Sequence, residues 1–384
     1  MITKRNSGIS IYIHIPFCLK KCNYCDFVSF PYKTEKLKSY VSCLVHEIDN
    51  LVEIFEIGGI KVRTLYFGGG TPSLLDLDAL EKILSTLSKN FNLSKLEEFT
   101  LEVNPETVEY EKFKQFKAFG INRISMGVQS FNDKTLKVLG RVHTARDVYT
   151  AFEILRRVGF ENINLDLMFA LPDEKLSDTM YSLQEGIRLN PEHISYYSLT
   201  IEEGTKFYEN RELLNLPDED LDYNEYVKGI ELLLDNGFTH YEISNFSKIG
   251  YESKHNKQYW RNLPYLGFGV SAYSYFRRKR FGNFPEIDKY CKAVKKDASP
   301  TVYEEKLTGN RAKAEHIMLN LRLLKEGVDK SLYYKRFGTL PSSDFPEQIY
   351  KLRKCGFIEE HKDKILLTKR GMLLANDVFT EFLP

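Results

Sequence analysis

No stretch of this 384-residue chain approaches the ~20 consecutive apolar residues that a membrane-spanning helix requires, so such a helix is excluded. Charge of one sign is lacking too. With 54 Lys and Arg against 53 Asp and Glu, nothing global draws the chain to nucleic acid or to an anionic membrane. An export signal is also missing. Met1-Ile-Thr-Lys-Arg5 before the apolar run Ile9 to Phe17 has its outline, but His14 and Pro16 interrupt the run and Phe17 stands where cleavage needs a small residue. A cytoplasmic chain is therefore expected, in which disulfides are rare and clustered thiols more often hold metal. Cysteine is sparse. Three of the six lie within eight residues, while Cys43, Cys291 and Cys355 are scattered and read as core filler. The remaining composition, 42% hydrophobic and 28% charged, is globular, and the length suits a barrel of ~250 residues with a smaller appended domain.

Through residue 205 the chain repeats one theme, a short β-rich run, a loop and a longer stretch with helical periodicity. Ile9 to Ile15, Arg63 to Phe67, Phe99 to Val103, Arg123 to Val128, Asn162 to Phe169 and Ile194 to Leu199 are predicted strands. Helical patterns fall between them, over Glu35 to Phe55, Leu77 to Leu87, Glu111 to Phe119, Ala145 to Val158 and Asp178 to Leu189. Parallel neighbours need crossover connections, so the alternation predicts an α/β fold with a parallel, incomplete six-stranded (β/α)6 barrel over 1–205. Residues 206–305 break the rhythm with a helix near Tyr223 to Asn236 and an aromatic, glycine-bearing segment, and read as a connecting region. Residues 306–384 turn helical and end in a helix, a short hairpin and another helix, a small winged-helix-like domain. Its mixed charge argues for packing or partner contact rather than nucleic-acid binding.

The bunched cysteines stand in His14-Ile-Pro-Phe-Cys18-Leu-Lys-Lys-Cys22-Asn-Tyr-Cys25, directly after the first predicted strand. Three thiolates on a short loop can grip three irons of a four-iron cluster and leave the fourth open, as an activating metal centre requires. The same i, i+4, i+7 spacing also describes one face of a buried helix. Lys20, Lys21 and Asn23 between the cysteines, with Pro16 before them, favour a loop. A zinc site would need a fourth ligand, for which Asp26 and His14 are poor candidates.

This Cys-x3-Cys-x2-Cys pattern resembles the signature of the radical S-adenosylmethionine (SAM) superfamily. The resemblance implies a [4Fe-4S] cluster on Cys18, Cys22 and Cys25 whose open iron binds the amino and carboxylate groups of SAM, with reduction yielding a 5′-deoxyadenosyl radical. It also implies that Tyr24 lies against the adenine and that Tyr12 belongs to the same pocket. In a parallel barrel, functional residues belong at the C-terminal ends of the strands. There the sequence has Gly68-Gly69-Gly70-Thr71-Pro72, Glu102-Val-Asn-Pro-Glu, Gly127-Val-Gln129-Ser with Arg141 and His143 downstream, and Asn164-Leu-Asp166. By resemblance, Gly69, Gly70, Thr71, Glu102, Gln129, Arg141 and Asp166 complete the SAM pocket. Arg141 can clamp a carboxylate, and Asp166 can accept hydrogen bonds from ribose hydroxyls.

Across nearly the whole chain, Tyr12-Ile-His-Ile-Pro-Phe-Cys18, Gly68-Gly-Gly-Thr-Pro-Ser, Gly127-Val-Gln-Ser and Leu165-Asp-Leu-Met resemble the oxygen-independent coproporphyrinogen III oxidase group. That group contains decarboxylating oxidases and heme chaperones. The oxidase signature has a further cysteine two positions after the third, where this chain has Phe27, and a long segment ahead of its first strand, where this chain has about ten residues. Both departures favour the heme chaperones. His255-Asn256-Lys-Gln-Tyr259-Trp260 resembles their His-Asn-x-x-Tyr-Trp motif linked with heme, which makes His255 a candidate axial donor and Trp260 a candidate porphyrin contact. Arg277 to Arg280 could attract heme propionates or form a solvated hairpin tip. No residue is assigned a catalytic role. The cofactors implied are the cluster, SAM and heme. The implied partners are heme-acceptor proteins and a low-potential electron donor but no nucleic acid, with peripheral membrane contact left open and the oligomeric state unassigned.

Overall fold

Runs of β-branched and aromatic residues form a single 12-stranded sheet in the computed structural model, which describes residues 8–383. In chain order its strands are β1 (Ile9–Ile15), β2 (Val62–Gly69), β3 (Glu98–Val103), β4 (Arg123–Gln129), β5 (Ile163–Phe169), β6 (His193–Ser198), β7 (Thr239–Glu242), β8 (Asn245–Ser247), β9 (Tyr265–Phe268), β10 (Tyr273–Phe276), β11 (Lys279–Asn283) and β12 (Thr301–Lys306). Across the sheet the order is β12-β11-β10-β9-β1-β2-β3-β4-β5-β6-β8-β7. Strands β1 to β6 are mutually parallel, as the βα alternation predicts. The short β9 adds a seventh parallel strand on the far side of β1. Antiparallel ribbons extend both flanks, so the sheet is open and the barrel partial. Residues 239–306 thus build the flanks of the same sheet.

Alternation along the strands separates two environments. Ile9, Ile11, Ile13 and Ile15 of β1 join a core with Leu37, Tyr40, Val41, Leu44 and Ile48 of the helix Thr34–Phe55. Intervening positions carry polar groups that bond to one another: Thr64 Oγ1 donates to Ser10 Oγ (2.7 Å), and Tyr12 Oη bonds His14 Nδ1 (2.9 Å). The barrel therefore has an apolar exterior under its helices and a polar interior wall.

The C-terminal part begins with the helix Gly309–Leu321 and ends in helix Pro346–Lys354, strands Ile358–Glu360 and Lys364–Leu367, and the short helices Lys369–Leu373 and Ala375–Thr380. Lys364–Leu367 pairs on both sides, with Ile358–Glu360 and with Val328–Asp329, giving the three-stranded wing that the predicted hairpin implies. Among the described residues no helix is long and apolar enough to cross a membrane. Of the segment weighed as an export signal, Met1 to Arg5 lie outside the described residues, while Ile9 to Ile15 is β1.

Candidate functional site

Strands β1 to β6 point the same way, so their C-terminal ends define one rim. The cysteine loop leaves β1 there and is pinned to the rim on several sides. Asn23 donates through its backbone N–H to Leu139 O (2.9 Å) and through Nδ2 to Val138 O (2.9 Å). Phe30 N and Tyr32 N close the far end of the loop onto Pro16 O and Cys18 O. His14 holds it from beneath, with Nε2 on Val28 O (2.9 Å); burial drops this imidazole to about 4, so it stays neutral. The loop is ordered but not helical, which removes the helix-face reading of the three cysteines.

All three are free thiols, each partly exposed. Thr71 Oγ1 donates to Cys18 Sγ and Arg141 Nη1 to Cys22 Sγ, both at 3.5 Å. Burial raises the Cys18 thiol, and pushes Cys25 up to about 11. Among the described residues no three His, Cys, Asp or Glu side chains converge closely enough to hold a single metal ion. Three all-thiol donors spread on one loop suit a multi-iron cluster, whose ligands bind separate irons.

Glycines of the β2 end serve packing. A Cβ on Gly70 would stand 2.7 Å from both Phe17 N and Phe17 O, and one on Gly69 (φ +110°) would meet the His14 ring at 2.5 Å. Their missing side chains let the rim of β2 touch the backbone that carries Cys18: Gly70 N donates to Ile15 O (2.9 Å) and Thr71 N to Phe17 O (2.8 Å).

Glu102, Gln129, Arg141 and Asp166 come together around this rim. Glu102 accepts from Tyr66 Oη (2.7 Å) and Gly69 N (3.0 Å), and burial lifts its carboxyl to about 7 despite those donors. Asp166 accepts from Asn164 Nδ2 (2.7 Å) and Ser125 Oγ (3.4 Å), and burial raises it as well. Gln129 ends β4 in the left-handed region (φ 69°), a strained position for a residue with a side chain, and accepts from Tyr197 Oη at 2.8 Å. Arg141 reaches across the rim: Nη2 donates to Gly127 O (2.6 Å) and Asn104 Oδ1 (2.7 Å), while Nη1 meets Cys22. Tyr24 lies near Phe207 (6.5 Å between ring centres) and packs with Leu139 and Met168 beside the cysteines.

Sequence reasoning missed Asn104, Tyr197 and Tyr66. Asn104 links Arg141 to Thr71 Oγ1 (3.1 Å), and so ties two thiol contacts together. Its signal was legible, an Asn before Pro at the end of a strand beside Glu102.

The His-Asn-x-x-Tyr-Trp motif lies elsewhere. It forms the short helix Lys254–Trp260, whose first N–H groups, Lys254 N (2.8 Å) and His255 N (2.9 Å), donate to Glu98 at the start of β3. His255 Nδ1 bonds Thr64 Oγ1 and Nε2 bonds Tyr259 Oη, both at 2.8 Å. Thr64 stands five residues before Gly69, ~17 Å at strand rise, so this helix plugs the end of the barrel away from the cysteines. Asn256 N bonds Ser253 Oγ within the helix start, and Trp260 lies under the Arg322 guanidinium at 4.3 Å. The expectation of His255 as an axial donor to heme iron does not fit. The ring is fully buried, and both nitrogens are already bonded, Nδ1 to Thr64 and Nε2 to Tyr259. Arg277 and Arg278 form a hairpin tip, and Arg280 pairs with Glu305 and Glu315.

Residues 12–185 match the family model of the radical SAM superfamily, and residues 307–374 that of the HemN C-terminal domain. The heme chaperone HemW of Bacillus subtilis is 37% identical over 377 residues, 97% of this chain and 99% of the relative. That of Lactococcus lactis is 37% identical over 385 residues, 100% and 98% of the two chains. The chain belongs to the HemW family. HemW of Escherichia coli is 41% identical over 266 residues, 69% of each chain. Among solved structures, coproporphyrinogen III oxidase (HemN) from Escherichia coli superposes with a TM-score of 0.86 at 24% identity, over 98% of this chain and 90% of that one, and shares the fold. Radical SAM membership implies a [4Fe-4S] cluster and SAM, and the thiol loop and rim of this HemW-family chain offer donors suited to both.

Proposed function

We propose that the chain is a heme chaperone that binds a [4Fe-4S] cluster through Cys18, Cys22 and Cys25, binds SAM at the rim of the barrel, and delivers heme to acceptor proteins. The observation that carries this reading is the kinship with HemW chaperones along essentially the full length of both chains. Phe27, 62% exposed beside the thiols, supports it by standing where the oxidases place a further cysteine.

Bound at the thiols, the cluster supplies an open iron for SAM. The chain's own residues divide the rest of the work. Glu102 and the rim of β2 receive the SAM amino group, Asp166 the ribose hydroxyls, and Tyr24 with Tyr12 shapes the pocket. Arg141 sits between thiolate and rim, where its charge offsets that of Cys22. Gln129, held by Tyr197, offers a side-chain amide to the ligand. Heme binds without His255 as its axial ligand. The protein works in the cytoplasm and draws electrons from a low-potential donor.

Anaerobic reconstitution followed by incubation with SAM, a reductant and coproporphyrinogen III tests the reading. Unchanged coproporphyrinogen III is expected. Formation of protoporphyrinogen would overturn the chaperone reading in favour of the oxidase.

A further inference from the structure

The interior wall of the barrel carries one guanidinium that the site above does not use. Arg123, the first residue of β4, is 2% exposed, among the most deeply buried large side chains of the chain. It forms no ion pair or side-chain hydrogen bond among the described residues, and its Nε is buried without a partner. Burying a cation without a counter-ion is strongly unfavourable.

Register places it under the rim. Arg123 stands opposite Thr100, and Glu102, the next inward residue of β3, stands opposite Ser125. Ser125 in turn donates to Asp166. Every hydrogen-bond partner of Glu102 and Asp166 named above is neutral. Arg141, the half-buried guanidinium at the rim, directs Nη1 and Nη2 to Cys22, Asn104 and Gly127, leaving only its Nε without a partner. The charged and titratable groups facing Glu102 are Tyr12 from β1, Tyr66 from β2, Asp166 from β5, Tyr259 from the plug helix and Arg123. Those facing Asp166 include Tyr24, Tyr197 and Arg123. Arg123 is the cation common to both carboxylates.

We propose that Arg123 is a positioning residue for SAM: without touching the ligand, its charge keeps Glu102 and Asp166 as paired carboxylates able to accept the ligand's donors. The inference rests on the SAM reading of the rim. Arg123 sets one buried positive charge against the two carboxylates of Glu102 and Asp166. In a low-dielectric interior such a balance matters more than at a surface.

SAM affinity of the cluster-loaded protein, measured anaerobically by equilibrium dialysis between about pH 6 and 9, tests the proposal. Wild type is expected to bind well in the alkaline range and to weaken as pH falls through about 7, where Glu102 takes up a proton. In Arg123→Gln the whole profile is expected to move upward by about one pH unit, about tenfold weaker binding near pH 7 that converges on wild type by about pH 9. Arg123→Met, a second neutral variant should Arg123→Gln not fold, has to show the same displacement. Arg123→Lys keeps the charge and has to follow wild type. A neutral variant with an unmoved profile, a loss equal at every pH, or a Lys variant displaced like the neutral ones would overturn the inference. Wild type that binds no SAM at any pH would instead overturn the reading of the rim.

Discussion

Gly70 leaves no room for a Cβ, because the backbone of Phe17 occupies that space. Gly70→Ala therefore has to displace the strand end that carries Cys18, an overpacking cost of about 1–3 kcal/mol. The variant is expected to melt earlier and to retain less than about half of the wild-type iron after identical reconstitution. Wild-type iron content would show that the close approach does not position the cluster loop. His255 gives the complementary case. Its ring is enclosed by Thr64 and Tyr259, so His255→Ala is expected to destabilise the chain by about 2–4 kcal/mol while leaving the absorption spectrum of heme-loaded protein unchanged. A displaced Soret band in that variant would restore His255 as a ligand. The motif was legible as a motif, but its burial was not. The sequence does not show that Thr64 and Glu98, paired on the neighbouring strands β2 and β3, face it and bond its His255 ring and its first backbone N–H groups.

At the level of elements, the long helix Thr34–Phe55 is tied to the flank of the sheet by one buried carboxylate. Glu47 accepts from Gly269 N (2.7 Å), Asn283 Nδ2 (2.5 Å) and Tyr290 Oη (2.6 Å), yet burial still lifts it to about 7. Because the folded value lies above the ordinary 4.5, the folded state holds a proton that the unfolded state releases. The associated stability is present below about 4.5 and is lost as pH rises through 7, on the order of 3 kcal/mol in all. Glu47→Gln removes this dependence. Its melting temperature is expected to gain on wild type between pH 5 and pH 8, and parallel curves would contradict the assignment. The plug helix depends on Glu98, whose two oxygens accept its first N–H groups. Glu98→Ala is expected to cost about 1–3 kcal/mol by leaving those donors buried and unpaired, read as a fall in denaturation midpoint.

These elements differ in how plainly the sequence announces them. Strands β1 to β6 were found within one or two residues at each end, because runs such as Ile-Ser-Ile-Tyr-Ile-His-Ile in β1 are β-branched and sharply bounded. Helix Ala145–Val158 was found to the residue, between its Thr144 cap and Gly159 in the left-handed region. The parallel strand β9 was not. Four residues with a glycine, Tyr265-Leu-Gly-Phe268, give no periodicity to read, and the pairing comes from β1, far away in sequence.

For the whole molecule, the sheet runs without interruption from the rim that carries the thiols to flanks built by residues 239–306, and the C-terminal part is fastened to it. Leu324 N donates to Tyr241 O, and Arg261 meets Glu326 in a two-point ion pair. Cysteine spacing and strand-end residues made the thiol loop and the polar rim legible, since the chemistry they suggest demands particular residue types. A place for the proposed heme was not legible, because a flat apolar ligand can be held by residues with no distinctive spacing. The central claim is therefore best tested on heme itself. The reconstituted protein, loaded with heme and mixed with a heme-free acceptor hemoprotein, is to be followed by absorption after separation of the two. Heme leaving this chain and appearing in the acceptor, with the porphyrin unaltered, is the expected result. Failure to bind heme, or retention of heme with no transfer to the acceptor, would contradict it.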